Sequence, residues 1–357
     1  MRKFLATTMA AALAAVTMTG CVQQTTPTQT SAAAESVAEA AGEADGIDYP
    51  ARTIKISTSG ADQGIDALTA KHFESLVEAA SGGKVQVEVY PNSQLAGGDM
   101  SKLIELLVAG GNYDIVVGSG SVLGNVDEKF LTHTIPFLFN SYDEAASYLD
   151  GTGGEYYKKL MEEKNLVYLG SEYNGLRQLT TKDKVITKPD DLKGLRIRVP
   201  SGEVYMKTLT DMGADPVAMN WSEVFTALQQ GTLDGHENGY QTISSANIQE
   251  VQKNITEWNW SFDGYWMFAG KKAWDSYDDA TKKLVEDKAV EACQWGREKL
   301  VTDEEQIRKD FQEKDGVTIT QLTDEEHQAF VDAAKPAQEY FINKFGEEAC
   351  GAWGLTK

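Results

Sequence analysis

The chain has 357 residues, 41% of them hydrophobic and 24% charged, with a formal net charge of −21. So acidic a protein repels nucleic acid and anionic membrane surfaces, which argues against both as partners. The composition is that of an ordinary globule, and the ~300 residues beyond the N-terminal segment suffice for one large or two medium domains.

In chain order, Met1-Arg2-Lys3 is a short positive region followed by an apolar stretch from Phe4 to Met18. That pattern reads as a secretory leader, too short for a membrane span of ~20 apolar residues. Met18-Thr19-Gly20-Cys21 resembles the bacterial lipobox, although Leu is commoner than Met at its first position. The resemblance implies a leader over residues 1–20 and a diacylated Cys21; an ordinary leader with an incidental cysteine is the alternative. Losing Arg2 and Lys3 would deepen the net charge from −21 to −23. Residues 21–48 are rich in Gln, Thr, Ser, Ala and Glu and carry no aromatic residue, which predicts a flexible tether.

From there strand and helix patterns alternate. Thr53–Ser57 reads as a strand, and Ile65, Leu68, Phe73, Leu76 and Val77 recur at helical spacing until Gly82-Gly83. Val85, Val87 and Val89 alternate as a strand, Leu103 to Val108 form a helical stripe, and Asp114–Gly118 is a short buried strand. Further strands are expected at Leu166–Leu169 and Leu195–Val199, then a helix carrying Met206, Leu209 and Met212. Asn220 with Glu223 reads as a capping box, as does Thr323 with Glu326, and a long charged helix is expected over 278–313. This βαβ rhythm predicts an α/β fold of doubly wound type, split into two lobes. Ligands of open α/β sheets bind beyond the carboxyl ends of strands, so two facing lobes place two sets of strand ends on one cleft.

Asp191-Leu192-Lys193-Gly194-Leu195-Arg196-Ile197-Arg198-Val199-Pro200 is the most informative stretch. Leu195, Ile197 and Val199 face one side of the predicted strand, while Arg196 and Arg198 face the other. Pro200 ends the strand and leaves Arg198 near its carboxyl end, where a planar guanidinium is suited to hold a carboxylate. The plainer alternative is a surface arginine on a half-exposed strand.

Here the chain resembles the DctP family, the solute receptors of tripartite ATP-independent periplasmic (TRAP) transporters. The resemblance covers about Arg52 to Gly346. It rests on the block just quoted, on Met212-Gly213-Ala214-Asp215-Pro216, on Glu223–Gly231 and on Asp234-Gly235-His236-Glu237-Asn238. It implies a two-lobe periplasmic-binding-protein (Venus flytrap) fold with a hinge and a long helix spanning both lobes. Lobe I is expected over 52–174 plus 264–303, and lobe II over 175–263 plus 304–357.

The resemblance also implies roles. Arg198 would form the defining salt bridge with a ligand carboxylate, Arg177 would supply a second guanidinium, and Asn238 would hydrogen-bond the ligand. Trp221 would pack on the bound molecule, and Ser59, Gln94, Ser119 and Asn174 join the candidate ligand contacts. Trp260 stands where the family often has histidine or another polar residue, so it is either a stacking surface or hinge core. Asn238 is alternatively a turn former after Asp234-Gly235. Sialate receptors carry an acidic residue where this chain has Ser119, which disfavours sialic acid.

An enzyme is the main rival class. The four histidines form no HExxH, no Gly-x-Ser-x-Gly elbow is present, and no His/Cys cluster predicts a metal. Gly118–Gly124 fits neither a dinucleotide nor a Walker loop and reads instead as a backbone-lined cleft edge. No catalysis, cofactor or metal is therefore expected. The expected partners are a small carboxylate, with a sugar acid such as a uronate favoured over C4-dicarboxylates, keto or aromatic acids, and the small and large TRAP membrane subunits. The membrane itself is expected to be touched only through the lipid anchor, which places the protein outside the cytoplasm. A surface sensor is the remaining alternative. Cys293 and Cys350, an even pair in an oxidising compartment, suggest a disulfide, with two separated buried thiols as the alternative.

Overall fold

The computed structural model describes residues 44–355; the leader, Cys21 and most of the tether lie outside the described residues. Five strands form the first sheet: β1 (Arg52–Thr58), β2 (Val85–Tyr90), β3 (Ile115–Ser119), β4 (Leu166–Leu176) and β10 (Phe262–Gly270). Six form the second: β5 (Gln178–Thr181), β6 (Arg196–Val199), β7 (Asp215–Ala218), β8 (Gly235–Asn238), β9 (Asn254–Glu257) and β11 (Thr318–Gln321). Their spatial orders are β2-β1-β3-β10-β4 and β11-β9-β5-β8-β6-β7.

The pairing is mixed. β1 runs parallel to β2 and β3, and β6 parallel to β7 and β8, as the βαβ rhythm predicts. β10 is antiparallel to β3 and β4, and β5 antiparallel to β8 and β9. The antiparallel strands are those next to the two crossings between the sheets, Arg177 on the way out and Trp258–Ser261 on the way back. A strand entering from the other lobe arrives from the carboxyl ends of its neighbours, so it must run against them. Arg177 N–H donates to the Ser261 carbonyl at 2.8 Å, which ties the two crossings into a hinge.

Local signals account for most elements. In β2, Val85 and Val87 are buried while Gln86 and Glu88 face water, the period-two pattern of a half-covered strand. β3 is buried throughout, as expected for a strand covered on both faces. The helix Ile65–Ala80 buries Leu68, Phe73, Leu76 and Val77 and ends in a Schellman turn: Gly83 N–H donates to Glu78 and Gly82 N–H to Ala79, with both glycines at positive φ. Thr323 and Glu326 form the expected capping box, whereas the Asn220 side chain makes no capping bond.

A helix over Asp279–Glu313 is 35 residues, hence about 52 Å, long. Its first part packs on the Ile65–Ala80 helix and β4, and its far part on the Tyr240–Ser245 helix and β11, so it spans both lobes. The helix Asp324–Ala352 breaks at Gly346 (φ 85°). Beyond that break Trp353 packs in the core of the first lobe, so the tail expected in lobe II returns to lobe I.

No disulfide joins the two cysteines in the described chain: Cys293 packs in the first lobe's core and Cys350 in the second's, where its thiol faces the Ile342 carbonyl at 3.7 Å. The pair is the separated, buried one that the sequence left open. Among the described residues no helix is long and apolar enough to cross a membrane, and no His, Cys, Asp and Glu group could hold a metal.

Candidate functional site

Where the carboxyl ends of both sheets meet, a cleft is lined by residues from both lobes. β1 contributes the loop Ser59-Gly60, β3 contributes Ser119 and the following Ser121, and β4 contributes Asn174. Across from them stand Arg198 and Pro200 at the end of β6, Trp221 at the start of the helix Trp221–Gln229 that follows β7, and Asn238 at the end of β8. Arg177, Thr242, Tyr265 and Met100 complete the wall. The space between these side chains is about 320 Å³ including its mouth.

Arg198 is buried, opposite His236 and Val217 in the ladder. Its Nε and Nη2 both donate to the Met219 carbonyl, at 3.0 and 2.6 Å, and its guanidinium carbon lies 5.4 Å from the Trp221 ring centre. A guanidinium has five N–H donors, and among the described residues no carboxylate pairs with this one. Burial pushes its pKa down to about 9; the charge of Arg177 acts the same way, and Glu237 opposes. This is a desolvated cation on which no carboxylate of the described residues rests, an arrangement that costs several kcal/mol. The exposed neighbour Arg196 is by contrast bound to Asp234 at 3.0 Å.

Arg177 also lines the cleft, yet four of its five N–H donors are committed. Nη2 donates to Glu237 Oε1 at 2.8 Å and to the Glu237 carbonyl at 2.9 Å, Nε donates to Glu237 Oε2, and Nη1 donates to Asp263 Oδ2 at 3.0 Å. Burial disfavours the charge, but the two carboxylates hold it above the usual arginine value. Arg177 therefore fastens β8 of one lobe to β10 of the other at the crossing itself, and the second guanidinium implied for a ligand is neutralised by the protein.

Asn174 is similarly occupied, donating from Nδ2 to Asp263 at 2.9 Å and accepting from Thr242 Oγ1 at 2.8 Å. Asn238 accepts from Gly239 N–H at 3.0 Å through Oδ1, and its Nδ2 has no protein acceptor among the described residues. Ser119 and Ser121 share one bond at 2.6 Å, and Ser59 donates to Asp66 at 3.3 Å. Asp66 also accepts from Gly60 N–H at 2.6 Å and so braces the loop that carries the cleft's first wall.

Two expected contacts lie elsewhere. Trp260 is fully buried in the second core, edge-on to Tyr205 at 5.9 Å, with its indole N–H donating to Glu237 Oε2 at 3.0 Å; it is hinge core, not a ligand surface. Gln94 is exposed on a short turn. There Ser93 (φ 50°) is the residue turned inward, its N–H held by the Thr58 carbonyl at 2.8 Å, and Gln94 is turned outward. Sequence reasoning missed Met100, Ser121, Thr242 and Tyr265. Ser121 and Thr242 were within reach of the strand-end rule, since each sits in the first helical turn after a cleft-facing strand.

His236 lies behind Trp221, ring centres 5.9 Å apart, with Nδ1 2.7 Å from Thr180 Oγ1. Burial and the charges of Arg198 and Arg177 hold it well below the usual histidine range, so it stays neutral. Polar contacts also bridge the lobes around the cleft. Ser201 donates to Asn125 at 3.2 Å, Gln241 donates to the Gln63 carbonyl at 2.8 Å, and Gln241 accepts from Ile65 N–H at 3.0 Å.

The family model for bacterial extracellular solute-binding protein, family 7, matches residues 56–344. The C4-dicarboxylate-binding periplasmic protein DctP of Shewanella loihica is 30% identical over 299 residues, covering 84% of this chain and 88% of that protein. Among solved structures, the sugar acid binding protein of Advenella mimigardefordensis in complex with galactonate superposes with a TM-score of 0.82 at 28% identity, covering 86% of this chain and 98% of that one. A TRAP periplasmic solute binding protein of Sulfurospirillum deleyianum with bound succinate gives 0.81 at 28% identity, covering 86% and 100%.

Proposed function

The chain belongs to the DctP family, the bacterial extracellular solute-binding proteins of family 7, and from that premise we propose that it captures a hydroxylated organic acid and delivers it to TRAP membrane subunits. That it is a solute-binding receptor for small organic acids follows from the family; which acid, and to whom it is passed, is the proposal. Arg198 carries the reading. A buried guanidinium without a protein counter-ion, at the strand end facing the other lobe, is a preformed carboxylate site.

Trp221 flanks that site with an apolar face suited to a carbon chain or sugar ring. Ser59, Ser119, Ser121 and Asn238 surround the remaining space with neutral donors and acceptors suited to hydroxyl or carbonyl groups. A sugar acid such as an aldonate or uronate fits this division, and the galactonate complex of the Advenella relative favours it. The name of the Shewanella relative favours a second reading, a C4-dicarboxylate.

The ligand enters between opened lobes, which close on it about Arg177 and Trp258–Ser261. Closure presents the surface that the membrane subunits recognise and needs no nucleotide. The receptor acts outside the cytoplasm, tethered through a lipid on Cys21. Thermal-shift screening against aldonates, uronates, dicarboxylates and keto acids tests the ligand reading. Stabilisation by one acid class supports it, and stabilisation only by neutral or cationic compounds contradicts it.

A further inference from the structure

We propose that the cleft selects acids bearing a single carboxylate and discriminates against dicarboxylates of the same length; this rests on the reading of the cleft as an organic-acid site. Among the residues lining it, Arg198 and Arg177 alone are charged. Arg177 is already matched by Glu237 and Asp263. The two guanidiniums and these two carboxylates sum to zero, so one ligand carboxylate on Arg198 leaves this group at −1, before the Asp66 carboxylate behind Ser59 is counted.

A second carboxylate finds no cation. Reaching away from Arg198, it meets the hydroxyls of Ser59, Ser119 and Ser121 and the amide of Asn238. Behind the first of these stands Asp66, whose carboxylate accepts from Ser59 and Gly60. Asp263, behind Asn174, is likewise anionic, its carboxyl held below the usual range against burial by His133, Arg177 and Asn174. A terminal hydroxyl in the same place both donates and accepts to these groups and carries no charge to bury.

Calorimetric titration of the purified protein with galactonate and galactarate at neutral pH tests the rule. The two probes share carbon number and internal hydroxyls and differ only in a terminal CH₂OH or carboxylate. The aldonate is expected to bind at least tenfold tighter, about 1.4 kcal/mol, and lowering the pH to protonate one galactarate carboxyl is expected to narrow the gap. Equal or tighter binding of galactarate overturns the single-carboxylate rule while leaving the acid site standing. Binding of succinate but of neither six-carbon acid also overturns it. Should no acid bind, both the rule and the acid-site reading fail.

Discussion

Arg177 and Glu237 hold each other through both carboxylate oxygens, Nη2 standing 2.8 Å from Oε1 while Nε donates to Oε2. Both side chains are buried, and Asp263 of the other lobe completes the guanidinium's shell. The relationship makes Arg177 a hinge fastener, in contrast to Arg198 twenty-one residues later. The contrast is measurable.

Removing one partner of a buried ion pair strands the other charge, at a cost of about 3–5 kcal/mol. Glu237→Gln is therefore expected to lower the urea midpoint substantially. Arg198→Met removes a buried guanidinium that no carboxylate pairs, so its ligand-free stability is expected to change far less than that of Glu237→Gln. Equal stability of Glu237→Gln and wild type would contradict the hinge role.

The two tryptophans separate in the same way. Trp260→Ala empties the second core and is expected to cost about 3–5 kcal/mol in denaturant titration. Trp221 is only partly buried and flanks Arg198, so Trp221→Ala is expected to weaken acid binding several-fold with little loss of stability. Calorimetry alongside denaturation checks both, and a reversed pattern contradicts the assignment.

Much of this was legible in the sequence, for identifiable reasons. The place of Arg198 at a strand's carboxyl end follows from alternation and a terminal proline, both local, whereas its role as ligand partner comes from the resemblance to the DctP family. The element pattern reflects side-chain periods of 2 and 3.6, local as well. What escaped depends on distant partners. Nothing near Arg177 announces Glu237, 60 residues on, or Asp263, 86 residues on. Trp260 has the same residue type whether it faces ligand or core, and the direction of the second crossing decides between them. Gln94 misled because two successive left-handed residues, Asn92 and Ser93, redirect the turn so that Ser93 faces inward and Gln94 outward.

Asp66 gives a pH signature. Burial raises its pKa to about 6 against hydrogen bonds from Gly60, Ala67 and Ser59, from an ordinary value of 3.8. A carboxyl raised on folding contributes stability that is fully present below the unfolded value and is lost as pH climbs through the folded one. The stability of wild type relative to Asp66→Asn is thus expected to fall by about 3 kcal/mol in all between roughly pH 3 and pH 7, most of it between pH 4 and pH 6, and to level off above. A difference that is flat with pH would contradict the assignment.

Gln241 joins the lobes without lining the cleft, donating to Gln63 and accepting from Ile65. Gln241→Ala is expected to favour the open form, lowering acid affinity several-fold mainly through faster release. Stopped-flow dissociation and small-angle scattering of the liganded protein check it; unchanged release would remove Gln241 from the closing contacts.

The most direct test is calorimetric titration of wild type and Arg198→Ala with galactonate, erythronate and succinate, with circular dichroism to confirm folding. The account predicts that at least one of these acids binds wild type and that the variant, still folded, binds it at least tenfold more weakly, about 1.4 kcal/mol or more. A folded variant that keeps wild-type affinity would show that the guanidinium at the end of β6 does not hold the ligand.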